Sequence, residues 1–163
     1  MLLSLLTLLG KPGERLPLDY AFDWRELEVG FRKPAAETVF LRGEISNAAG
    51  VITLRAVLST MLHQVCDRCL VRFEQEYSLP LEMVLSESRE NEENEDIVLI
   101  ENKCVALEEL ARDAFILAMD MKTLCSEDCA GLCSGCGVNL NEASCRCRKE
   151  VDPRLKALQD YEF

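Results

Sequence analysis

The sequence predicts an α+β fold: an antiparallel β-sheet over residues 37–101 that could curl into a barrel-like form, one helix packed on it, and a C-terminal segment organised by cysteines. Three observations carry this. Apolar residues recur with period two from Glu37 to Leu85, the period becomes helical from Leu107 to Met119, and after Leu124 cysteine spacing replaces apolar periodicity.

The N-terminal run Met1–Leu9 reads as a core strand or short helix. It has no basic leader region or small-residue cleavage site, and nine residues are too few to cross a bilayer. Val39, Leu41 and Ile45 then alternate with Phe40, Arg42 and Glu44, and Ile52, Leu54, Ala56, Leu58 and Leu62 form a second alternating set. The turn-forming Asn47-Ala-Ala-Gly50 between them makes the two runs a hairpin. A third run places Val71, Phe73, Tyr77, Leu79, Leu81, Met83 and Leu85 on one face, with Arg72, Glu74, Glu76, Ser78 and Glu82 on the other. Pro80 lies on the outward face and cannot donate to a ladder, so an edge or a strand break is expected there. A sheet with one wet face follows.

Residues 86–96 form a polar acidic loop, and Ile97–Ile100 reads as one more short strand. Leu107, Leu110, Ala111, Ala114, Leu117 and Ala118 share one helical stripe that should lie against the sheet. Asp152-Pro153 supplies an N-cap and a first-turn proline for a terminal helix reaching about Tyr161. The chain thus divides into a core domain, 1–122, and a cysteine-rich tail, 123–163. At 163 residues and 48% apolar content it can bury one sizeable core.

Nine cysteines are present, and eight fall into tight groups: Cys66-x2-Cys69, Cys125-x3-Cys129-x3-Cys133-x2-Cys136 and Cys145-x-Cys147. Cys-x2-Cys turns set two thiolates at the separation one tetrahedral zinc ion requires, and Cys133-Ser-Gly-Cys136-Gly137 has the local form of a zinc knuckle. Disulfides fit poorly with an odd cysteine count and no leader sequence. Dithiol redox chemistry at Cys66-Asp-Arg-Cys69 gains no clear activation, since Asp67 would raise a thiol pKa and Arg68 would lower it. The expected cofactor is therefore zinc, with Cys66, Cys69, Cys125, Cys129, Cys133, Cys136, Cys145 and Cys147 as ligands. The spacing leaves the pairing open: Cys133 and Cys136 could close with Cys145 and Cys147, or with Cys66 and Cys69. Cys104, amid Val105 and Ala106, reads as a buried small hydrophobe, and the single histidine, His63, as a surface or satisfied strand residue.

The formal charge is −11, from 18 Lys and Arg against 29 Asp and Glu. Two four-thiolate zinc ions, each a net −2, would bring it to about −15. Such a balance argues against extensive phosphate contact and for a basic protein partner. No Gly-rich phosphate loop, His-Glu-x-x-His motif or nucleophile paired with a base occurs in the sequence.

Several segments together resemble the YceD family, the large ribosomal RNA subunit accumulation proteins of bacteria and plastids. They are Cys66-Asp-Arg-Cys69-Leu70, the stretch from Leu124 through the cysteine block to Asn141, and Asp152-Pro-Arg-Leu155. The Pro-Gly-Glu near the start, Gly43 before the Ile-Ser-Asn-Ala-Ala-Gly hairpin and the Leu-Ala-Met before the cysteine block agree with them. The resemblance implies a cytoplasmic factor needed for normal large-subunit rRNA accumulation, with no established catalytic activity. The expectation is a non-catalytic ribosome-biogenesis factor that docks on a ribosomal protein or rRNA-processing factor and meets rRNA only indirectly, away from membranes. Two other readings stand beside it. One is a direct RNA-binding zinc module using Arg146, Arg148, Lys149, Arg154 and Lys156; the other is a thiol-redox protein using Cys66 and Cys69.

Overall fold

In the computed structural model, which describes residues 2–29, 38–87 and 97–147, the alternating runs become three long strands. The elements are β1 (Leu2–Ser4), α1 (Leu6–Leu9), β2 (Arg15–Phe22), β3 (Val39–Ala48), β4 (Val51–Val65), β5 (Arg72–Ser86), β6 (Ile97–Leu99), β7 (Cys104–Ala106) and α2 (Leu107–Ala118). The chain divides into two units: residues 1–64 with 74–121, and residues 65–73 with 122 onward. Residues 65–73, which the sequence alone places inside the core domain, thus join the cysteine-rich segment. No described helix is long and apolar enough to cross a membrane.

The first unit is built on a five-stranded sheet in the order β2-β3-β4-β5-β6. The order is linear, with β2 and β6 at its ends, so among the described residues the sheet stays open and the expected barrel-like closure is not formed. Nor is it wholly antiparallel, because β6 pairs with β5 in parallel through Val84–Ile97, Leu85–Val98 and Ser86–Leu99. The β3–β4 hairpin closes through Ala49 and Gly50, whose φ values of 53° and 91° suit the tight turn that matches strand twist. Buried Asn47 holds that turn: its Oδ1 accepts from the Gly50 amide at 2.9 Å and its Nδ2 donates to the Leu8 carbonyl at 2.6 Å.

Inward positions behave as the alternation requires. Val39, Leu41, Ile45, Leu54 and Leu58 are fully buried, each supplying about 1.5–3 kcal/mol of transfer free energy. The opposite face is wet. It carries Arg42–Asp19 and Arg55–Glu82 ion pairs and a 2.9 Å His63–Glu74 contact, exposed pairs worth about 0–1 kcal/mol each. At Gly43 the neighbouring strand comes so close that a Cβ would collide with the Arg55 carbonyl oxygen and the Ala56 Cα, backbone atoms that cannot rotate away. Pro80 does not break β5; β6 pairs with residues 84–86, so among the described residues the proline sits where β5 has one strand neighbour.

Helix α2 has no side-chain N-cap, although Glu108 and Glu109 in its first turn complement the helix dipole. Its stability comes from Leu107, Ala111 and Phe115, all fully buried. The expected stripe is thereby corrected at its end: Leu117 is 86% exposed, and Ala118 is exposed as well. Phe115 takes the inward position because it meets two aromatic neighbours, Trp24 at 5.6 Å and Tyr77 edge-on at 5.5 Å. Trp24 in turn stacks on Phe22 of β2 at 5.4 Å. The N-terminal run forms both a strand and a helix: β1 pairs with β7, and Leu5 and Leu8 are fully buried. The acidic residues 88–96 and the expected terminal helix lie outside the described residues.

Candidate metal centre

The second unit has little apolar material. Its buried cluster is Cys66, Cys69 and Cys129, with Phe73, Leu124 and Leu132 packed against it. What organises it is a loop that occurs twice. In Cys66-Asp-Arg-Cys69-Leu70-Val71 the Leu70 amide donates to the Cys66 carbonyl at 2.9 Å and the Cys66 amide to the Val71 carbonyl at 2.9 Å. In Cys133-Ser-Gly-Cys136-Gly137-Val138 the Gly137 amide donates to the Cys133 carbonyl at 2.8 Å and the Cys133 amide to the Val138 carbonyl at 2.9 Å. Each loop turns its two cysteines to one side and requires a left-handed residue after the second; φ is 59° at Leu70 and 75° at Gly137.

The eight grouped cysteines gather into two clusters, Cys66, Cys69, Cys125 and Cys129, and Cys133, Cys136, Cys145 and Cys147, and either could hold a metal ion. Within each, all sulfurs lie within 4.8 Å of one another. Sγ–Sγ separations are 3.7 Å for Cys66–Cys129 and 3.5 Å for Cys69–Cys125 in the first site, and 3.2 Å for Cys133–Cys145 in the second. A tetrahedron with metal–sulfur bonds of about 2.3 Å has edges of about 3.8 Å, which the first site's separations approach, while the second site's 3.2 Å edge is tighter. The first site is the more buried, with only Cys125 exposed, whereas Cys136 and Cys147 of the second are open to solvent.

Of the two closures the spacing allows, the structure brings Cys133 and Cys136 to Cys145 and Cys147; Cys66 and Cys69 meet Cys125 and Cys129. Cys104 belongs to neither cluster and is half-buried in β7 rather than fully enclosed. Arg146 is exposed between the clustered Cys145 and Cys147, and Arg148, Lys149, Arg154 and Lys156 lie outside the described residues.

Electrostatics within the clusters is uneven. Burial pushes the Cys66 thiol up, but the amides of Cys125, Cys69 and Arg68 outweigh it and bring it down to about 6. The Cys136 and Gly135 amides, then the neighbouring Cys145 and Cys136 thiols, lower Cys133 to about 6. The cost appears on their companions. Cys69, then burial, pushes Cys125 up to about 12, and Cys136 followed by Cys133 does the same to Cys147. Crowded thiolates repel, and a central divalent cation would let all four ionise together.

Polar residues that the cysteine pattern does not single out hold the first site together. The Asp67 amide donates to the Thr123 carbonyl at 2.8 Å, and the Thr123 amide donates back to Asp67 Oδ2 at 2.7 Å. The Arg68 guanidinium donates to the Cys129 carbonyl at 2.9 Å, while the Arg68 carbonyl accepts from Leu132. Asp67 and Arg68 therefore tie the first knuckle to the chain around Cys125 and Cys129, and the opposing effects on thiol acidity that their charges suggest are secondary. Nor does Cys66 sit at a helix N-terminus, where redox dithiols gain reactivity.

The sequence model of the family described as large ribosomal RNA subunit accumulation protein YceD matches residues 54–161, more than half of the chain and all eight clustered cysteines. The chain belongs to the YceD family. Comparison with curated proteins and with solved structures gave no significant match. In this YceD-family chain the match takes in β4 from Leu54 onward, β5, α2 and both cysteine clusters, and leaves β1–β3 outside it.

Proposed function

We propose that the protein is a non-catalytic factor supporting accumulation of large-subunit rRNA, and that its second unit is a two-zinc module through which it engages a basic protein partner. The observation that carries the metal half is the sorting of eight cysteines into two clusters of four, each with all its sulfurs within 4.8 Å of one another. Soft thiolate donors in fours select zinc among the abundant divalent ions, and a four-thiolate zinc is coordinatively closed. It supplies folding free energy and leaves no position for activating water. Family membership carries the rRNA half. The partner's chemistry follows from charge, since a chain at −11 attracts basic surfaces and repels phosphate at long range.

Three measurements on one system test this. Metal analysis of protein purified without chelator should give two equivalents of zinc. Deleting the gene should lower large-subunit rRNA relative to small-subunit rRNA. Purified protein should not retain RNA at physiological salt. Unchanged rRNA ratios would remove the assembly reading. Sub-micromolar RNA binding that weakens steeply with salt, and is lost when Arg146, Arg148 and Lys149 are neutralised, would replace the protein partner with RNA itself.

A further inference from the structure

The chain that builds the second site also reaches back to the first. Between Cys136 and Cys145 lies Asn141, and its Nδ2 donates to the Cys129 Sγ at 3.4 Å while its Oδ1 accepts from the Ala130 amide at 2.7 Å. It thus grips one ligand of the first site and the peptide that follows it. Asn139 fixes this posture: its Oδ1 accepts from the Asn141 amide at 3.1 Å and from Asn141 Nδ2 at 2.8 Å, and its own Nδ2 donates to Glu142 at 2.9 Å. The Leu140 amide donates to the Gly131 carbonyl at 2.9 Å, and Leu132 bridges to Asn139. Every one of these contacts joins the 139–142 segment to itself or to the 129–132 segment that leaves the first site.

Cys133 and Cys136 anchor one end of the 137–144 loop and Cys145 and Cys147 the other. With those four thiols closed on an ion, Asn141 is held at both ends of its loop; with them free, only the hydrogen bonds just named restrain it.

We propose that the two sites form one coupled module, in which metal at the second site presents Asn141 to Cys129 and so tightens the first site. Asn141 is a positioning residue, one step outside the ligands, and the proposal rests on the two-zinc reading. Donation to a thiolate offsets part of its charge and fixes its lone pairs toward the ion, and outer-shell donors of this kind typically contribute about 10–100-fold to metal affinity. Coupling is reciprocal, so metal in the first site must tighten the second by the same factor.

The test is cobalt(II) titration of the full chain, followed by its thiolate-to-metal absorption, together with cadmium-113 NMR of the loaded protein. The wild-type chain should take up two equivalents cooperatively. Asn141→Ala should weaken one site about 10–100-fold and shift one cadmium resonance, leaving the other resonance in place. Asn141→Asp, which puts a carboxylate beside the sulfur, should weaken it further. Cys145→Ser with Cys147→Ser should weaken the remaining site by a similar factor, and adding Asn141→Ala to that pair should then change little. Two equivalents bound independently, with Asn141→Ala moving neither resonance, would overturn the coupling and leave the two-zinc reading intact. Fewer than two equivalents in the wild-type chain would overturn both.

Discussion

Leu70 and Gly137 occupy the same position in two copies of one loop, each left-handed, each the residue after the second cysteine of a Cys-x2-Cys turn. One copy uses the residue that adopts this conformation freely and the other uses a residue that resists it by about 1–2 kcal/mol. Leu70 is also 64% exposed, so burial does not repay the strain.

Replacing Leu70 with glycine should therefore leave the first site as stable or make it up to about 0.5 kcal/mol more stable, the relief of strain being partly offset by glycine's larger unfolded-state entropy. Gly137→Val should do the reverse at the second site, costing about 1 kcal/mol or more. Competition with a zinc chelator, read site by site, checks both. Equal losses at Leu70→Gly and Gly137→Val would show that the two loops are not equivalent.

At Gly43 the constraint is space rather than dihedral angle. Gly43→Ala should destabilise the sheet by about 1–3 kcal/mol, because the added methyl meets backbone and cannot be relieved by rotating a side chain. Denaturant unfolding followed by strand-sensitive circular dichroism measures it. Bound metal per folded chain should stay at the wild-type value.

Helix α2 offers a contrast between neighbours. Phe115→Ala should cost about 3–5 kcal/mol, since it empties the space between Trp24 and Tyr77. Leu117→Ser, two residues on, should change stability by less than about 0.5 kcal/mol, as its side chain is 86% exposed. A reversal of the two would return the inward face to Leu117.

Thiol accessibility separates ligands from the ninth cysteine. In zinc-loaded protein a small alkylating reagent should modify Cys104 alone, and after chelation all nine cysteines should react, as mass spectrometry of the intact chain would count. Rapid labelling of Cys136 or Cys147 in the loaded state would mean that the exposed second site does not hold its metal.

The sequence makes the strands legible where the alternation is long. Val39 to Leu85 reads correctly because three successive runs each bury one face and wet the other. Strand β2 is missed although Leu16, Leu18, Tyr20 and Phe22 alternate properly, because Pro17 interrupts the run. The structure accommodates Pro17 by placing β2 at the sheet edge. Open versus closed sheet is not readable at all, since it depends on how β6 returns beside β5. On the helix, period alone cannot choose between Phe115 and Leu117; the aromatic neighbours decide it. In the metal centre every clustered cysteine is visible from spacing, and the division into two sets of four is not. Beside the first set lie Asp67, Arg68 and Asn141, polar residues whose hydrogen bonds leave no periodic trace.

The two sites close very different lengths of chain. Cys133 and Cys145 are 12 residues apart, whereas Cys69 and Cys125 are 56 apart and Cys66 and Cys129 are 63 apart, with β5, β6, β7 and α2 strung between. Translation at about 5–20 residues per second therefore leaves Cys66 and Cys69 as a bare dithiol for roughly 3–13 s before both partner thiols exist. In that interval the nascent pair can oxidise, or take up an ion that the completed site would have to share. A reducing environment around the growing chain would protect the first site before there is a site to protect.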